Sequence, residues 1–341
     1  MQALIQRAAF CRARYMPRIS TQALLGALCV YGSAMPSSHA AQPLTLAPTV
    51  ITSAAPEQSP LVIDLDPRQP RQPMPASDAA EYLETIPGFS AIRSGGVNSD
   101  PVLRGMMGSR LKMLTNGSEI IGACPARMDS ASSYISPESF TNLRVIKGPQ
   151  SVRWGAGASA GTVLFDRGPE SFEDADSRLS GSVVGGSYGR SDQHLDGALG
   201  NEQGYLRMLG NRSKSNDYKD GNGDRVPSRW RKWDSEVAVG WTPDADTWLE
   251  LSAGRGDGEA RYAGRGMDGS QFKRESYNLR FSKMGMGEVF QGVEGQVYYN
   301  YADHVMDNYS LRQPSGMAMA MDVDRRTLGA RFNGVWRTAD W

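Results

Sequence analysis

Alternation of apolar and polar residues with a period of two dominates the chain from about residue 178 onward, and it constrains the fold more than any other feature. Such alternation is typical of β-strands whose two faces meet different surroundings. About eight such segments occur, each near the ~10 residues that a tilted strand needs to cross an outer membrane. In the longest segment one face carries Val293, Val297, Tyr299 and Tyr301, and the other carries Glu294, Gln296, Tyr298 and Asn300.

The connections between these segments alternate in length. Residues 201–204 and 242–246 are short turns, whereas the long polar connections are 217–231, 256–274 and 307–322. Short turns at one end and long loops at the other are typical of an outer-membrane barrel. A soluble sandwich would show shorter alternating runs without this bias. The pattern therefore predicts a transmembrane β-barrel.

Composition excludes two other classes of protein. Lysine plus arginine equals aspartate plus glutamate at 37 each, so no basic excess favours nucleic acid as a partner. The mean hydropathy is −0.45, and beyond the N-terminus no apolar run reaches the ~18 residues of a transmembrane helix. A helical membrane protein is therefore not expected.

Residues 1–40 have the features of an export signal. Positive charge comes first, from Arg7, Arg12, Arg14 and Arg18, and an apolar stretch follows over 23–31. Small residues around Ala40 then form a cleavage site. A cytoplasmic amphipathic helix is the alternative. Export would place the mature chain in an oxidising compartment.

Cysteine usage becomes informative once the signal is removed. Cys11 and Cys29 leave with it, so Cys124 is predicted to be the only thiol of the mature chain. A lone thiol outside the cytoplasm cannot form an internal disulfide and is open to oxidation. Its presence indicates either full burial or metal ligation, and the 16 methionines of the chain favour the same chemistry.

Two further segments precede the barrel. Residues 41–75 are rich in proline, which predicts a flexible linker. Within this linker lies a short β-prone patch that could add to the sheet edge of a partner: Thr49, Val50, Ile51 and Thr52. Residues 76–172 are predicted to form a compact mixed α/β unit. It begins with a short helix over 78–85 that Pro87 and Gly88 end.

Three motifs of this unit resemble the plug domain of the TonB-dependent receptors. Residues 80–89 resemble the opening helix and "iPGv" motif of the plug, and 101–105 resemble its "xxxRG" strand. Residues 145–161 resemble the signature "VxKGPxSxxYGxGAxGG", with Trp154 in place of the tyrosine and Ala160 in place of the first terminal glycine.

The resemblance implies a barrel of 22 antiparallel strands, filled by an N-terminal plug and embedded in outer-membrane lipids. The patch from Thr49 to Thr52 falls at the position of the TonB box. Uptake would then be driven by TonB and its energising complex in the inner membrane. About eight strands cannot close around such a plug, because eight-stranded barrels are filled by their own side chains. We therefore expect residues 173–341 to be the N-terminal part of the barrel of a longer protein.

Two short motifs predict a metal site. Cys124 and Met128 are four residues apart in the plug, so one helical turn or a tight loop would point both at one ion. His304 and Met306 lie on the polar, inward face of the predicted seventh barrel strand, near its extracellular end. Thiolate and thioether form a soft pair suited to Cu(I) or Ag(I). Buried packing of the plug pair, and a solvated histidine with a loose methionine, are the alternatives.

Both motifs resemble the copper-receptor branch of the family, the OprC/NosA type. That branch has a C-x-x-x-M pair in the plug and an H-x-M pair on the barrel. The resemblance implies a copper ion, Cu(I) or Cu(II), as the transported ligand and no organic cofactor. A copper-carrying protein that loads the metal is a further candidate partner.

A second, weaker metal-capture site is predicted just beyond this strand. Three thioethers alternate there in an extracellular loop, where they could bind soft metal or serve loop packing: Met317, Met319 and Met321.

Copper import is the leading functional hypothesis, and two others compete with it. A siderophore or cobalamin receptor with incidental sulfur residues would need aromatic and arginine contacts to a large organic ligand. An enzyme or electron-transfer protein would need a substrate pocket or a redox partner. The sequence shows no acid/base pair or nucleophile constellation, which disfavours the enzyme.

Overall fold

The computed structural model describes residues 61–149, 152–156, 158–314 and 316–337. The predicted signal peptide (1–40) and the predicted TonB box from Thr49 to Thr52 lie outside these residues. Most of the plug, most of the strands and all four predicted ligands of the main metal site lie within them.

The N-terminal part of the described chain is a small plug built around a five-stranded sheet. Its strand order is β1-β6-β7-β4-β5, with β2 and β3 forming a separate hairpin. β4 and β7 pair in parallel, and the other neighbours pair antiparallel. The elements are β1 (Val62–Leu65), α1 (Ala79–Leu83), β2 (Phe89–Ile92), β3 (Asp100–Leu103), β4 (Leu111–Thr115), β5 (Ser118–Glu119), β6 (Asn142–Lys147) and β7 (Gly161–Asp166). Short 3-10 turns lie at Gly108–Arg110, Ala131–Tyr134, Pro137–Ser139 and Val152–Trp154.

The first plug strand lies inside the range predicted to be a linker. β1 pairs with β6 over four residues, from Val62 opposite Ile146 to Leu65 opposite Leu143. The prediction of a linker over 41–75 therefore differs from the structure at its C-terminal end. Proline density masked the signal, because β1 is only four residues long, Asp64 interrupts its apolar residues, and prolines stand on both sides at Pro60 and Pro67.

Helix α1 is shorter than the predicted range 78–85, and its start follows from capping. The Asp78 side chain accepts a hydrogen bond from the Glu81 N–H at 2.9 Å, while Glu81 accepts one from the Ser77 N–H at 2.6 Å. This reciprocal pattern satisfies donors that the first turn leaves free. Of the helices in the described part of the chain, none combines the length and apolarity needed to cross a bilayer.

The C-terminal part is one antiparallel sheet of eight long strands. Its order is β8-β9-β10-β13-β14-β15-β16-β17, so consecutive long strands are neighbours. A separate small hairpin of β11 and β12 lies within one connection. The strands are β8 (Asp176–Gly186), β9 (Arg190–Asn201), β10 (Gly204–Ser215), β11 (Tyr218–Lys219), β12 (Arg225–Val226), β13 (Trp230–Asp244), β14 (Thr247–Ala260), β15 (Asp268–Lys283), β16 (Phe290–Asp307) and β17 (Ala320–Trp336); one further 3-10 turn, Ser187–Gly189, joins β8 to β9.

The long connections are shorter than the sequence predicts. β14 continues to Ala260 and β15 begins at Asp268, so most of the predicted loop 256–274 is strand. The strands remain paired where their side chains turn polar, as Arg231 opposite Glu259 shows. Polarity therefore marks the end of the apolar band and not the end of the hydrogen-bonded ladder.

The sheet packs its inner face on the plug from its first strand to its last. Ser182 of β8 donates to Glu138 of the plug at 2.6 Å, and the Arg331 guanidinium of β17 lies 4.5 Å from the centre of the Trp154 ring. Between them, Gln296 of β16 donates to the Asn116 carbonyl at 2.6 Å. The plug is thus held along the whole width of the sheet.

A buried charged cluster joins the barrel wall to the end of the plug. Arg207 and Glu250 are each 1% exposed, and Arg207 donates to Glu250 at 3.1 Å. Arg280 forms an ion pair with the same carboxylate. It also donates to the Arg167 carbonyl of the plug at 2.9 Å. Glu250 therefore balances the buried Arg207 and the partly buried Arg280.

Candidate metal centre

A tight loop of the plug places Cys124 and Met128 at one site. The N–H of Arg127 donates to the Cys124 carbonyl at 3.0 Å, which closes a turn with Pro125 in its second position. Proline favours this position because its φ is already fixed near the required value. Arg127 then adopts a φ of 58°, which reverses the chain toward Cys124. The two sulfur residues therefore lie on a loop and not on a helical turn.

Asp129 ties this loop into a ring. Its carboxylate accepts from the Ala123 N–H at 2.7 Å and from the Cys124 N–H at 2.8 Å. It also accepts from the Tyr134 hydroxyl at 2.7 Å. Burial and the adjacent carboxylate raise the pKa of Tyr134 well above its usual range, so this hydroxyl stays protonated and remains a donor.

Gly122 lets the two ends of the ring approach closely. A Cβ atom at this position would lie 1.8 Å from the Asp129 carbonyl oxygen, an impossible separation. Any side chain here would push the Asp129 backbone away from Ala123 and Cys124. The loop therefore requires glycine at this position.

We expect Gly122→Ala to lower the free energy of unfolding by about 2 kcal/mol, since overpacking a tight site forces the backbone to shift. The midpoint of thermal unfolding of the full-length protein measures the effect. Gly168→Ala is the matched control, because a Cβ atom at Gly168 would meet nothing within 4 Å. Equal midpoints for the two variants would contradict the role given to Gly122.

The barrel wall supplies the other half of the site. Even-numbered side chains of β16 face the plug, and His304 and Met306 are 0% and 2% exposed. A bulge interrupts the pairing of β15 with β16 between Gly269 and Gln271. The ring of Phe272, just beyond the bulge, stacks on His304 with centroids 4.5 Å apart. Bulges commonly re-aim side chains in this way next to functional sites.

The hydrogen bonding of His304 leaves one ring nitrogen available. Nδ1 lies 2.8 Å from the Gln271 carbonyl oxygen, which can only accept, so this nitrogen carries the proton. Nε2 is buried and has no hydrogen-bond partner among the described residues. A buried unsatisfied nitrogen is costly. In this tautomer Nε2 carries a free lone pair, which is the usual state of a histidine nitrogen that binds a metal.

Three of the four predicted ligands, Cys124, His304 and Met306, meet at the boundary between plug and wall. Sγ of Cys124 is 3.7 Å from Sδ of Met306. Two ligands about 2.3 Å from a tetrahedral ion lie about 3.8 Å apart, so this separation fits one shared ion. Ligand atoms of Cys124, Asp129 and His304 all lie within 4.8 Å of one another. Met128 is buried in the same cluster as Cys124 and Met306.

The predicted capture methionines are not part of this buried group. Met317, Met319 and Met321 are 83%, 52% and 46% exposed. Asn308 holds the loop, since its side chain donates to the Met317 carbonyl and accepts from the Met319 N–H, both at 2.9 Å. Met321 pairs directly with Met306 across β16 and β17, so the two side chains share a face of the sheet.

Sequence reasoning missed the residues that support the site. Besides Asp129 and Tyr134, the hydroxyl of Tyr262 donates to the Met128 carbonyl at 2.7 Å and accepts from Asn98 at 3.0 Å. Burial raises the pKa of Tyr262, which keeps it a donor. Asp129 could have been suspected because it directly follows Met128. No sequence signal connects Tyr262, 134 residues further along, to the loop.

Comparisons with known proteins identify the plug and the fold. Residues 58–162 match the TonB-dependent Receptor Plug Domain. The ferrienterobactin receptor of Escherichia coli (strain K12) is 25% identical over 218 residues, which cover 58% of this chain and 29% of that protein.

Solved structures agree with this assignment. The copper transporter OprC is 61% identical, with a TM-score of 0.81, covering 86% of this chain and 46% of that one. The FrpB iron transporter from Neisseria meningitidis (F3-3 variant) is 17% identical, with a TM-score of 0.67, covering 83% of this chain and 47% of that one. At this identity the similarity shows the fold alone. The chain thus spans about half the length of these structures. The predicted fold class, a plug with the N-terminal strands of a β-barrel, is confirmed.

Proposed function

Because the chain belongs to the TonB-dependent receptors, we propose that the protein is an outer-membrane receptor that binds a copper ion between plug and barrel and imports it into the periplasm. The ligands are Cys124, Met128, His304 and Met306. Copper is the transported substrate and not a resident cofactor. The similarity to a copper transporter at 61% identity supports this choice of metal.

The observation that carries the proposal is the convergence of soft donors from two parts of the fold. The plug contributes Cys124 and Met128, and strand β16 contributes His304 and Met306. The 3.7 Å separation of two sulfur atoms across this boundary suits a single ion. Thiolate, imidazole and thioether resemble blue-copper ligation, which accommodates either redox state of copper.

Transport also requires export of the chain and an energised partner, TonB. We propose that residues 1–40 export the chain, that 41–75 link it to TonB through Thr49–Thr52, and that the plug spans about 76–172. TonB, energised from the inner membrane, would pull this segment and rearrange the plug. Residues 173–341 would then form the barrel wall facing lipid, which the exposed Leu199, Val239 and Leu251 support.

The exposed methionines of the loop after β16 and of the start of β17 have a separate role in this scheme. We propose that Met317, Met319 and Met321 capture soft metal above the site, because all three thioethers are accessible from solvent. Met321 lies opposite Met306 and is the member of the set nearest to the site in register.

The function is tested by metal analysis of the full-length purified protein after exposure to copper and to ferric siderophores. We expect about one copper ion per chain, retained through desalting, and copper uptake by cells that depends on TonB. The similarity to a ferrienterobactin receptor makes the siderophore arm informative. Tight binding of a ferric siderophore without stoichiometric copper would overturn the proposal.

A further inference from the structure

Asp129 contributes a negative charge directly beside the ligands. It is 0% exposed, and a carboxylate oxygen lies within 4.8 Å of the ligand atoms of Cys124 and His304. Its three hydrogen-bond partners, Ala123 N–H, Cys124 N–H and the Tyr134 hydroxyl, are all donors. A carboxyl group that only accepts hydrogen bonds is in its ionised form. The site therefore contains a buried carboxylate.

This carboxylate has no cationic partner among the described residues. Two arginines near the loop form their ion pairs or hydrogen bonds with other groups, although the charge of Arg127 also acts on Asp129 from a distance. Arg127 pairs with Asp100, and Arg274 donates to the Tyr134 carbonyl at 2.6 Å. A buried charge without a counter-charge is strongly unfavourable. A cation held by the neighbouring Cys124 and His304 would provide the missing charge.

We propose that Asp129 determines charge selectivity, so that the site favours a divalent over a monovalent soft ion. This inference rests on the proposed copper site. A metal-bound thiol is deprotonated, so Cys124 and Asp129 together present two negative charges. Cu(II) neutralises both, whereas Ag(I) leaves one uncompensated in a buried site. Soft ligands alone would favour Ag(I), and the carboxylate acts against that preference.

The size of the effect follows from Coulomb's law. At a separation near that of these ligand atoms and an effective dielectric constant of about 20, one additional unit of cationic charge corresponds to on the order of 100-fold in affinity. Removing the carboxylate charge should weaken Cu(II) binding by that factor more than it weakens Ag(I) binding.

The test measures Cu(II) and Ag(I) dissociation constants for the full-length wild type and for Asp129→Asn. Asp129→Ser, smaller and also uncharged, replaces it if the amide variant does not fold. We expect the ratio of Cu(II) to Ag(I) affinity to fall about 100-fold. An unchanged ratio, including equal weakening of both ions, would show that Asp129 only shapes the loop and would overturn the inference.

Two control variants separate charge from geometry. Tyr134→Phe removes one hydrogen bond to the Asp129 carboxylate and keeps its charge, while Asp324→Asn removes a half-exposed carboxylate of strand β17 that pairs with Arg326. Both should leave the ratio within about threefold of wild type. A fall in either as large as that in Asp129→Asn contradicts the charge argument. Failure of the wild type to bind either ion would instead overturn the proposed function.

Discussion

Replacing Cys124 by serine is expected to lower copper affinity by more than about 100-fold. Loss of an outer-shell hydrogen bond to a metal ligand typically lowers affinity by 10–100-fold, so loss of the anionic ligand itself must exceed that. Serine nearly preserves the size of cysteine, so the buried loop keeps its packing. The dissociation constant of the full-length protein for copper, measured by competition with a chelator, gives the result.

Two comparisons make this result specific to the proposed site. His304→Gln, which removes the unpartnered Nε2, should weaken binding as Cys124→Ser does, while Met319→Ala in the exposed loop should leave the buried site within about threefold of wild type. Equal copper affinity in wild type, Cys124→Ser and His304→Gln would exclude the ligand assignment. A loss of affinity in Met319→Ala as large as in the two buried variants would show that the effect is not specific to the buried group.

Replacing Glu250 by glutamine is expected to destabilise the folded protein by about 3 kcal/mol, the lower end of the cost of breaking a buried ion pair, because Arg207 and Arg280 lose the carboxylate they share while Arg207 keeps Glu170. Arg207 and Glu250 are each 1% exposed, so water cannot compensate. Glutamine keeps the shape of the side chain and removes only its charge. The midpoint of thermal or denaturant unfolding in detergent, measured on the full-length protein, reports the change.

Glu275 provides a matched control on the neighbouring strand β15. Its side chain is 30% exposed and pairs with Lys273 at 3.3 Å. Such a pair contributes about 0–1 kcal/mol, so Glu275→Gln should move the midpoint little. If Glu250→Gln unfolds at the wild-type midpoint, the cluster does not hold the plug against the wall.

The sequence predicts the strands well because alternate residues face lipid, where they must be apolar, and the lumen, where they can be polar. In β16 this parity alone places His304 and Met306 on the inner face, where the structure buries both. Helix α1 follows equally directly from the capping residues Asp78 and Glu81. In these elements the information is local, and a window of a few residues contains it.

Other features depend on contacts that no local window contains. β1 becomes a strand only because β6, some 80 residues later, offers an edge to pair with. Asp129 becomes a buried anion only because Gly122 permits a closed loop, and Tyr262 reaches Met128 only when the barrel surrounds the plug. The four ligands could be selected by their chemistry, but the residues that orient them follow from tertiary structure.

In the proposed site two ligands belong to the plug and two to the wall, so the affinity for the ion would depend on the position of the plug. Each pair alone would be a weak bidentate site. Tight binding requires the plug to be docked on the wall, because docking keeps the two pairs close together and so gives each a high effective concentration near the other. By thermodynamic linkage, an ion bound to both must also strengthen the docking of the plug. If the plug moved a few ångströms from the wall, the two pairs would separate and the affinity for the ion would fall. The same movement of the plug would then both open the path into the periplasm and release the ion.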